Sequence, residues 1–172
     1  MARYSATIVS QATQLSGVPS GTTVNGYMGY WGSASGSGFR LRRLHVSTYI
    51  AAGGVPTSQQ VRLGVYRQTA APSGTGIATA VPGQAMEVWT PTDPTGGIFA
   101  ITATTIGTTG PTIATNPLAT PTFNTQSTVD MPFEFNEELV CTTGTANGIA
   151  FVLLGGTLPT NHIVALTCEI EV

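Results

Sequence analysis

The chain of 172 residues is long enough for one domain that buries its own core without a metal or a disulfide bond. Only 8% of its residues are charged, against about 25% in a typical soluble domain, and none is a lysine. With a net charge of −2 it lacks the dense positive charge that phosphate binding needs, so we expect no nucleic-acid partner.

The scarcity of charge also bears on association between copies. Few like charges repel one another on such a surface. Lysine, which protects exposed strand edges and is depleted at interfaces, is absent. This composition favours a subunit of an assembly, whose surface is covered by neighbours. A neutral, heat-tolerant secreted protein is the alternative.

The charges are divided along the chain. All six arginines precede residue 68 and all eight acidic residues follow residue 86, so the two parts carry +6 and −8. If early and late strands lie side by side, these charges neutralise each other within one subunit. Alternatively, the basic part of one copy contacts the acidic part of another.

The N-terminal sequence MARYSATIVSQATQ contains no long apolar segment, so we expect no signal peptide and synthesis in a reducing cytoplasm. No part of the chain approaches the ~18 consecutive apolar residues of a membrane helix, and we expect no membrane partner. Cys141 and Cys168 are therefore expected to be buried thiols, with a disulfide between them as the alternative.

Alternating apolar and polar residues, separated by clusters of Gly, Pro, Asn and Ser, predict an all-β protein. The predicted strands number eight or nine, as in an antiparallel two-sheet jelly-roll sandwich, and form a single domain over residues 1–172. In chain order they lie near 3–10, 22–31, 38–50, 59–68, 84–90, 97–105, 131–141, 147–155 and 162–172.

The third predicted strand contains FRLRRLHV, which holds Arg40, Arg42 and Arg43. Apolar residues alternate in one phase up to Leu41 and in the other phase from Leu44 onward. Such a slip predicts a β-bulge, which places two neighbouring side chains on the polar side where the strand changes its sheet partner. We expect these arginines to pair with carboxylates, inside the subunit or across an interface.

Aromatic residues near this cluster are further interface candidates. Tyr30 and Trp31 precede the arginines in the sequence, and Trp89 and Phe99 follow them. Aromatic side chains are enriched in protein interfaces, and we expect core or interface positions for them. Stacking on a sugar is the alternative for Trp31 or Trp89.

The segment from Thr104 to Asp130 is rich in Thr and Pro and almost free of charge. We predict a long loop without structure of its own, stiffened by Pro111, Pro117 and Pro121 and lying along another protein surface. These three prolines complete the set of candidate interface residues.

Four further segments show the residue pattern of strands. In QVRLGVYR and IVALTCEIEV the apolar residues alternate inward, and in MPFEFN we expect Phe133 and Phe135 inside. GIAFVLLGG is apolar on both faces, which is typical of a central strand or of one covered by a neighbouring subunit. Asn147-Gly148, a hairpin signal, marks its start.

The sequence contains little that points to catalysis. It has two histidines, His45 and His162, and no GxSxG motif, HExxH motif or metal-ligand spacing. Glu137 and Glu138 are adjacent, but consecutive strand residues face opposite sides, which separates their carboxylates. We expect no enzyme, no cofactor and no metal site, and structural roles for both histidines.

Four features share a pattern with a known class of protein. They are the strand VRLGVYRQ, the following APSGTGIATAVPG, the neutral Thr/Pro-rich middle, and the closing block PFEFNEELVCTTGTANGIAFVLLGGTLPTNHIVALTCEIEV. In this pattern the chain resembles the head decoration (cement) proteins of tailed bacteriophages, over roughly residues 37–172.

The resemblance implies a jelly-roll homotrimer that binds the outer surface of a phage head, contacts the major capsid protein and stabilises the capsid. Such a protein would be made in the host cytoplasm and located on the virion, and it would have no catalytic residues. The alternative is a phage receptor-binding or fibre-tip domain that recognises host glycans, and a hydrolase is the third class considered.

Overall fold

The computed structural model describes residues 3–9, 29–32, 38–70, 87–88, 112–144, 147–154 and 158–171. These residues form strands, turns and irregular segments, and no helix occurs among them. The strands are β1 (Arg3–Val9), β2 (Gly29–Gly32), β3 (Phe39–Ile50), β4 (Gln60–Ala70), β5 (Glu87–Val88), β6 (Thr112–Ile113), β7 (Thr122–Asn124), β8 (Val129–Pro132), β9 (Leu139–Cys141), β10 (Gly148–Leu154) and β11 (His162–Glu171).

The strands form two antiparallel sheets. Sheet A has the order β5-β1-β11-β3-β8, with β9 also pairing with β3, and sheet B has the order β2-β10-β4-β6, with β7 also pairing with β4. Two edge strands are thus interrupted, one formed by β8 and β9 and the other by β6 and β7. If each interrupted edge is counted as one strand, and β5 as an additional strand at the edge of sheet A, the strand order is that of a jelly roll. This confirms the predicted fold class.

The inner faces of both sheets meet in one apolar core. Alternation places every second residue of a strand on this face, and β4 and β11 follow the predicted phase. The inward residues of these two strands are Val61, Leu63, Val65, Val164, Leu166, Cys168 and Ile170. The period of the sequence therefore located the core correctly for the central strands.

Strand β10 is apolar on both faces because it is covered on both faces. It lies between β2 and β4 in sheet B, and its inward residues Ile149, Phe151 and Leu153 belong to the main core. Its outward residues Ala150 and Val152 have no exposed surface and belong to a second cluster on the other face of the sheet. The interpretation as a central strand is confirmed.

The predicted hairpin at Asn147-Gly148 is wrong. The backbone N–H of Asn147 donates to the Gly144 carbonyl oxygen at 3.0 Å, and its side-chain amide donates to the Thr143 carbonyl oxygen at 2.7 Å. β9 belongs to sheet A and β10 to sheet B, so the strands before and after these contacts do not pair with each other.

The strand predicted over 131–141 is divided by a turn, and this corrects the orientation of Phe135. The backbone N–H of Glu137 donates to the Glu134 carbonyl oxygen at 2.9 Å, and Asn136 has a φ of 72°. A β-turn of this kind accepts Asn at its third position because Asn tolerates positive φ. Phe133 still packs against the core, but Phe135 stands at the corner of the turn and is 69% exposed.

The predicted loop over 104–130 needs a correction in its described part, 112–130. This part supplies β6, β7 and the first two residues of β8. Ala119 forms a bridge with Val65 between β6 and β7, so residues 112–124 run along β4 as the edge of sheet B. Alternation was not visible here because the pairing is interrupted, as is common where Pro lies in an edge strand. Residues 104–111 lie outside the described residues, as does the strand predicted near 97–105.

Candidate interaction surface

The arginine cluster lies at a β-bulge in β3. Arg43 is opposite Glu169 of β11 and Leu41 is opposite Ile170. Arg42 is therefore an extra residue in the backbone register, with no residue opposite it in β11. On its other edge, β3 pairs with β9 through Leu41 and with β8 from Arg43 onward. The predicted bulge is confirmed, and the change of partner occurs at this edge within sheet A.

Arg42 binds two carboxylates of its own chain. Its guanidinium contacts Glu138, just before β9, and Glu171, at the end of β11. The side chains are 17% exposed in Arg42, 2% in Glu138 and 7% in Glu171. The ring of Phe135 lies over the guanidinium, with 5.9 Å between Cζ and the ring centroid, in the range of a cation–π contact.

Arg43 forms a second, exposed ion pair. Its Nε donates to Oδ1 of Asp130 at 2.7 Å and its Nη2 donates to Oδ2 at 2.5 Å, while Glu169 lies 3.7 Å from Nη1. The hydrogen bond from Arg43 lowers the pKa of Asp130, and the pKa of Arg43 is raised by the same contact. His45 is also exposed, with Nδ1 at 3.9 Å from Asp130 Oδ1.

These contacts decide between the two interpretations of the charge division for two of the arginines. Arg42 and Arg43 come from the basic part of the chain, and all four of their partners come from the acidic part. Early and late strands lie side by side in sheet A, so the neutralisation occurs within one subunit. Both guanidinium groups are thereby occupied by carboxylates of the same chain.

The third arginine of the cluster lies in a different setting. Arg40 is exposed on β3, and its register partner in β9 is Val140, which is 44% exposed. Beyond them lies the turn 134–137, in which Glu134, Phe135 and Glu137 are exposed. We call this group of side chains the β9 patch: Arg40, Glu134, Phe135, Glu137 and Val140.

The remaining candidate interface residues that the structure describes belong to sheet B or to its edge segment. Tyr30 and Trp31 belong to β2 in sheet B, whereas the arginines belong to sheet A. Pro117 is exposed in the 112–130 edge segment, and the carbonyl oxygen of Pro121 accepts a hydrogen bond from Leu63 N–H at 2.9 Å. Pro111 lies outside the described residues, as do Trp89 and Phe99.

His162 is a buried structural residue, as predicted. Its Nδ1 donates to the Thr160 carbonyl oxygen at 3.2 Å, and its Nε2 accepts from the backbone N–H of Thr57 at 3.4 Å. Within the described ranges, no group of three or more His, Cys, Asp and Glu side chains could hold a metal ion. The same residues contain no helix that is long and apolar enough to span a membrane.

The two cysteines are buried and unpaired. Cys141 is opposite Phe39 on one edge of β3, and Cys168 is opposite Leu44 on the other edge. Positions 39 and 44 are separated by roughly 16 Å of strand, far beyond the ~7 Å that a disulfide allows between Cα atoms. Burial raises the pKa of the Cys141 thiol to about 11 and raises that of Cys168 well above its usual value.

Phe135 and Val140 are the surface residues that the sequence analysis missed. Both were assigned to a regular strand, which would have placed Phe135 in the core. The signal that could have located the turn is Asn136, directly before Glu137 and Glu138, because Asn favours the positive φ of a turn. Comparison of the chain with protein-family models, with curated proteins and with solved structures found no match.

Proposed function

We propose that this protein is a structural virion protein: a capsid decoration (cement) protein that binds the outer surface of a tailed-bacteriophage head and stabilises the capsid. In this proposal it assembles with itself as a homotrimer and contacts the major capsid protein. Its role is to bridge neighbouring capsid subunits, and it carries out no chemical reaction.

The observation that carries the proposal is the exposure of large apolar side chains on a surface that has very few charges. Only 8% of the residues of the chain are charged. Single exposed apolar residues are ordinary, but apolar patches on a weakly charged surface are typical of protein contacts. The large apolar residues exposed in the described part are Tyr49, Val55, Leu118, Phe135 and Val140.

The architecture is compatible with this role but does not define it, since one fold carries many functions. A sandwich with a single large core and a covered outer face on sheet B is a rigid body suited to bridging other proteins. Arg42 and Arg43 are bound by carboxylates of the same chain, which leaves little positive charge for a polyanion. Contacts made by apolar surface are also not weakened by the screening of charges in salt.

Within the 112–130 segment, the exposed side chains of Pro117 and Leu118 are our candidates for contact with the major capsid protein. We call Pro117 and Leu118 the tip of this segment. Backbone hydrogen bonds join Leu118 and Ala119 to Val65 of β4, so the tip is held on the edge of sheet B. Deleting 107–127 would remove Ile113 and Phe123, which are buried, and would damage the sandwich. Substitution at the tip is therefore the better test.

The test measures two quantities on purified phage particles. The protein should be present in hundreds of copies per head, and purified protein should rebind to emptied heads from which it has been removed. Leu118→Ser should weaken rebinding while leaving the unfolding transition unchanged. Val55→Ser, at an exposed apolar residue in another loop, is the matched control.

Failure has two distinguishable forms. A few copies per particle, together with binding to host cells or to an oligosaccharide array, would replace the proposal with the receptor-binding alternative. Absence of the protein from the particles and no rebinding to heads would overturn the virion role altogether. Equal rebinding by wild type and Leu118→Ser would remove only the assignment of the tip.

A further inference from the structure

The β9 patch combines exposed apolar and charged side chains at one end of sheet A. Phe135 is 69% exposed at the corner of the 134–137 turn, and Val140 is 44% exposed on β9. Arg42 connects these two residues. The ring of Phe135 lies over its guanidinium, and Glu138, which binds the same guanidinium, directly precedes β9. Arg40 is next, since it is in register with both Val140 and Glu171.

The patch also contains charges of both signs that pair with no described residue. Arg40 forms no ion pair with any described residue, and neither Glu134 nor Glu137 does so. All three are exposed. A surface that combines exposed apolar side chains with charges of both signs offers complementary groups to a second copy of itself.

Strand addition is not the mode of contact that this edge favours. The carbonyl oxygen of Val140, which a pairing strand would use, accepts a hydrogen bond from Nη1 of Arg67 at 2.8 Å. Arg67 belongs to β4 of sheet B, so this hydrogen bond joins the two sheets. Pro132 ends β8 without a backbone donor, a common device at sheet edges. Contact at this edge is left to side chains.

We propose that the β9 patch is a contact surface between two copies of this chain. Phe135 and Val140 of each copy pack against the patches of its neighbours around the axis of the proposed homotrimer, and Arg40 of each copy meets the acidic 134–137 turn of the next. The inference deepens the self-assembly that is part of the proposed function. It does not depend on attachment to a capsid.

The experiment measures self-association of the purified full chain by sedimentation velocity over a range of micromolar concentrations. Phe135→Ser should weaken association at least tenfold, because truncating an aromatic at the centre of an interface commonly costs that much. Val140→Thr keeps the β-branched shape and should weaken it in the same direction. Val55→Ser, an equally exposed apolar residue beyond the other end of β3, should leave association unchanged.

A charge reversal tests the pairing between copies. Arg40→Glu alone makes the patch wholly acidic and should weaken association at least fivefold, since like charges then face each other. Arg40→Glu combined with Glu134→Arg and Glu137→Arg restores opposite charges with reversed signs and should recover most of the affinity. Unfolding curves confirm that each variant is folded.

The proposal is overturned if wild type stays monomeric, if Phe135→Ser and Val140→Thr associate like wild type, or if the reversed patch does not recover. A monomer that still rebinds to emptied heads would remove this contact surface and keep the capsid role. An oligomer that depends on Phe135 but does not bind heads would do the opposite.

Discussion

The Arg42 guanidinium donates a hydrogen bond through Nε to the carboxylate of Glu171, although the two residues are 129 positions apart in the sequence. Arg42 is the extra residue of the bulge in β3, and Glu171 ends β11. The contact also includes Glu138, so one cation joins three strand regions of sheet A. The largely buried carboxylates of Glu138 and Glu171 therefore share Arg42 as their cationic partner.

We expect Arg42→Ala to lower the free energy of unfolding by about 3 kcal/mol, because it leaves Glu138 and Glu171 buried without a cation. Equilibrium unfolding in urea measures the loss. Arg62→Ala is the matched control, since Arg62 is an exposed arginine on β4 outside the β9 patch, and it should change stability by less than about 0.5 kcal/mol. Equal losses in the two variants would contradict the role of the buried cluster.

Asp130 should contribute to acid sensitivity. Arg43 lowers the pKa of Asp130 from its ordinary value of 3.8, so its stabilising effect is present above that pH and is lost as the pH falls through the lower folded value. Asp130→Asn should therefore flatten the decline of stability between pH 5 and pH 3, measured by urea unfolding at each pH. The effect should be modest because the pair is exposed.

The control for this experiment is Glu137→Gln, which removes an exposed carboxylate that pairs with no described cation. Its pH profile should stay close to that of wild type. A profile that Asp130→Asn leaves unchanged would show that the Arg43–Asp130 contact does not persist in solution.

Both thiols should be unreactive in the folded protein. Burial raises the pKa of Cys141 to about 11 and raises the pKa of Cys168 well above its ordinary value. A thiol reagent at pH 8 should modify neither cysteine in buffer and both in concentrated urea, because the thiolate is the reactive form. Rapid modification of the native protein would contradict the burial of these residues.

The same shifts predict weaker stability in alkali. The Cys141 thiol has a higher pKa in the folded state than in the unfolded state. Its contribution to the free energy of unfolding is therefore complete below about pH 9 and is lost as the pH rises toward about 11. Urea unfolding between pH 8 and pH 10.5 should show this decline. It should be smaller in Cys168→Ala than in wild type, once the loss common to all pH values is subtracted.

Gly38 should tolerate no side chain, because a Cβ at this position would lie 2.5 Å from the carbonyl oxygen of Cys141. That oxygen belongs to the backbone of β9, so β9 itself would have to move. We expect Gly38→Ala to cost about 1–3 kcal/mol of unfolding free energy. Under our proposal it should also weaken self-association, since the displaced strand carries Val140.

Gly53→Asn is the control for this substitution. Gly53 has a φ of 83°, which Asn tolerates better than other residues, and nothing lies within 4 Å of its Cβ position. It should cost less than about 1 kcal/mol. If Gly38→Ala is equally mild, β9 is not held against the start of β3 as tightly as the structure indicates.

What the sequence determined by itself is the local part of this structure. Alternation has a period of two residues, so it can be followed within a single strand, and it located the core faces of β4 and β11. The slip of phase after Arg42 located the bulge for the same reason. The fold class followed from the number of such segments and the turns between them.

Only the tertiary structure decided what lies across from these strands. Nothing local pairs Arg42 with Glu171 or joins Arg67 to Val140, because those contacts depend on strands far apart in the sequence. The edge strands β6 and β7 were not predicted because they are too short to show an alternating pattern. Only their pairing with β4 defines them as strands. The prediction that Phe135 lies inside was wrong because the strand ends at a turn. The positive φ of Asn136 belongs to that turn, where the alternation of a strand no longer applies.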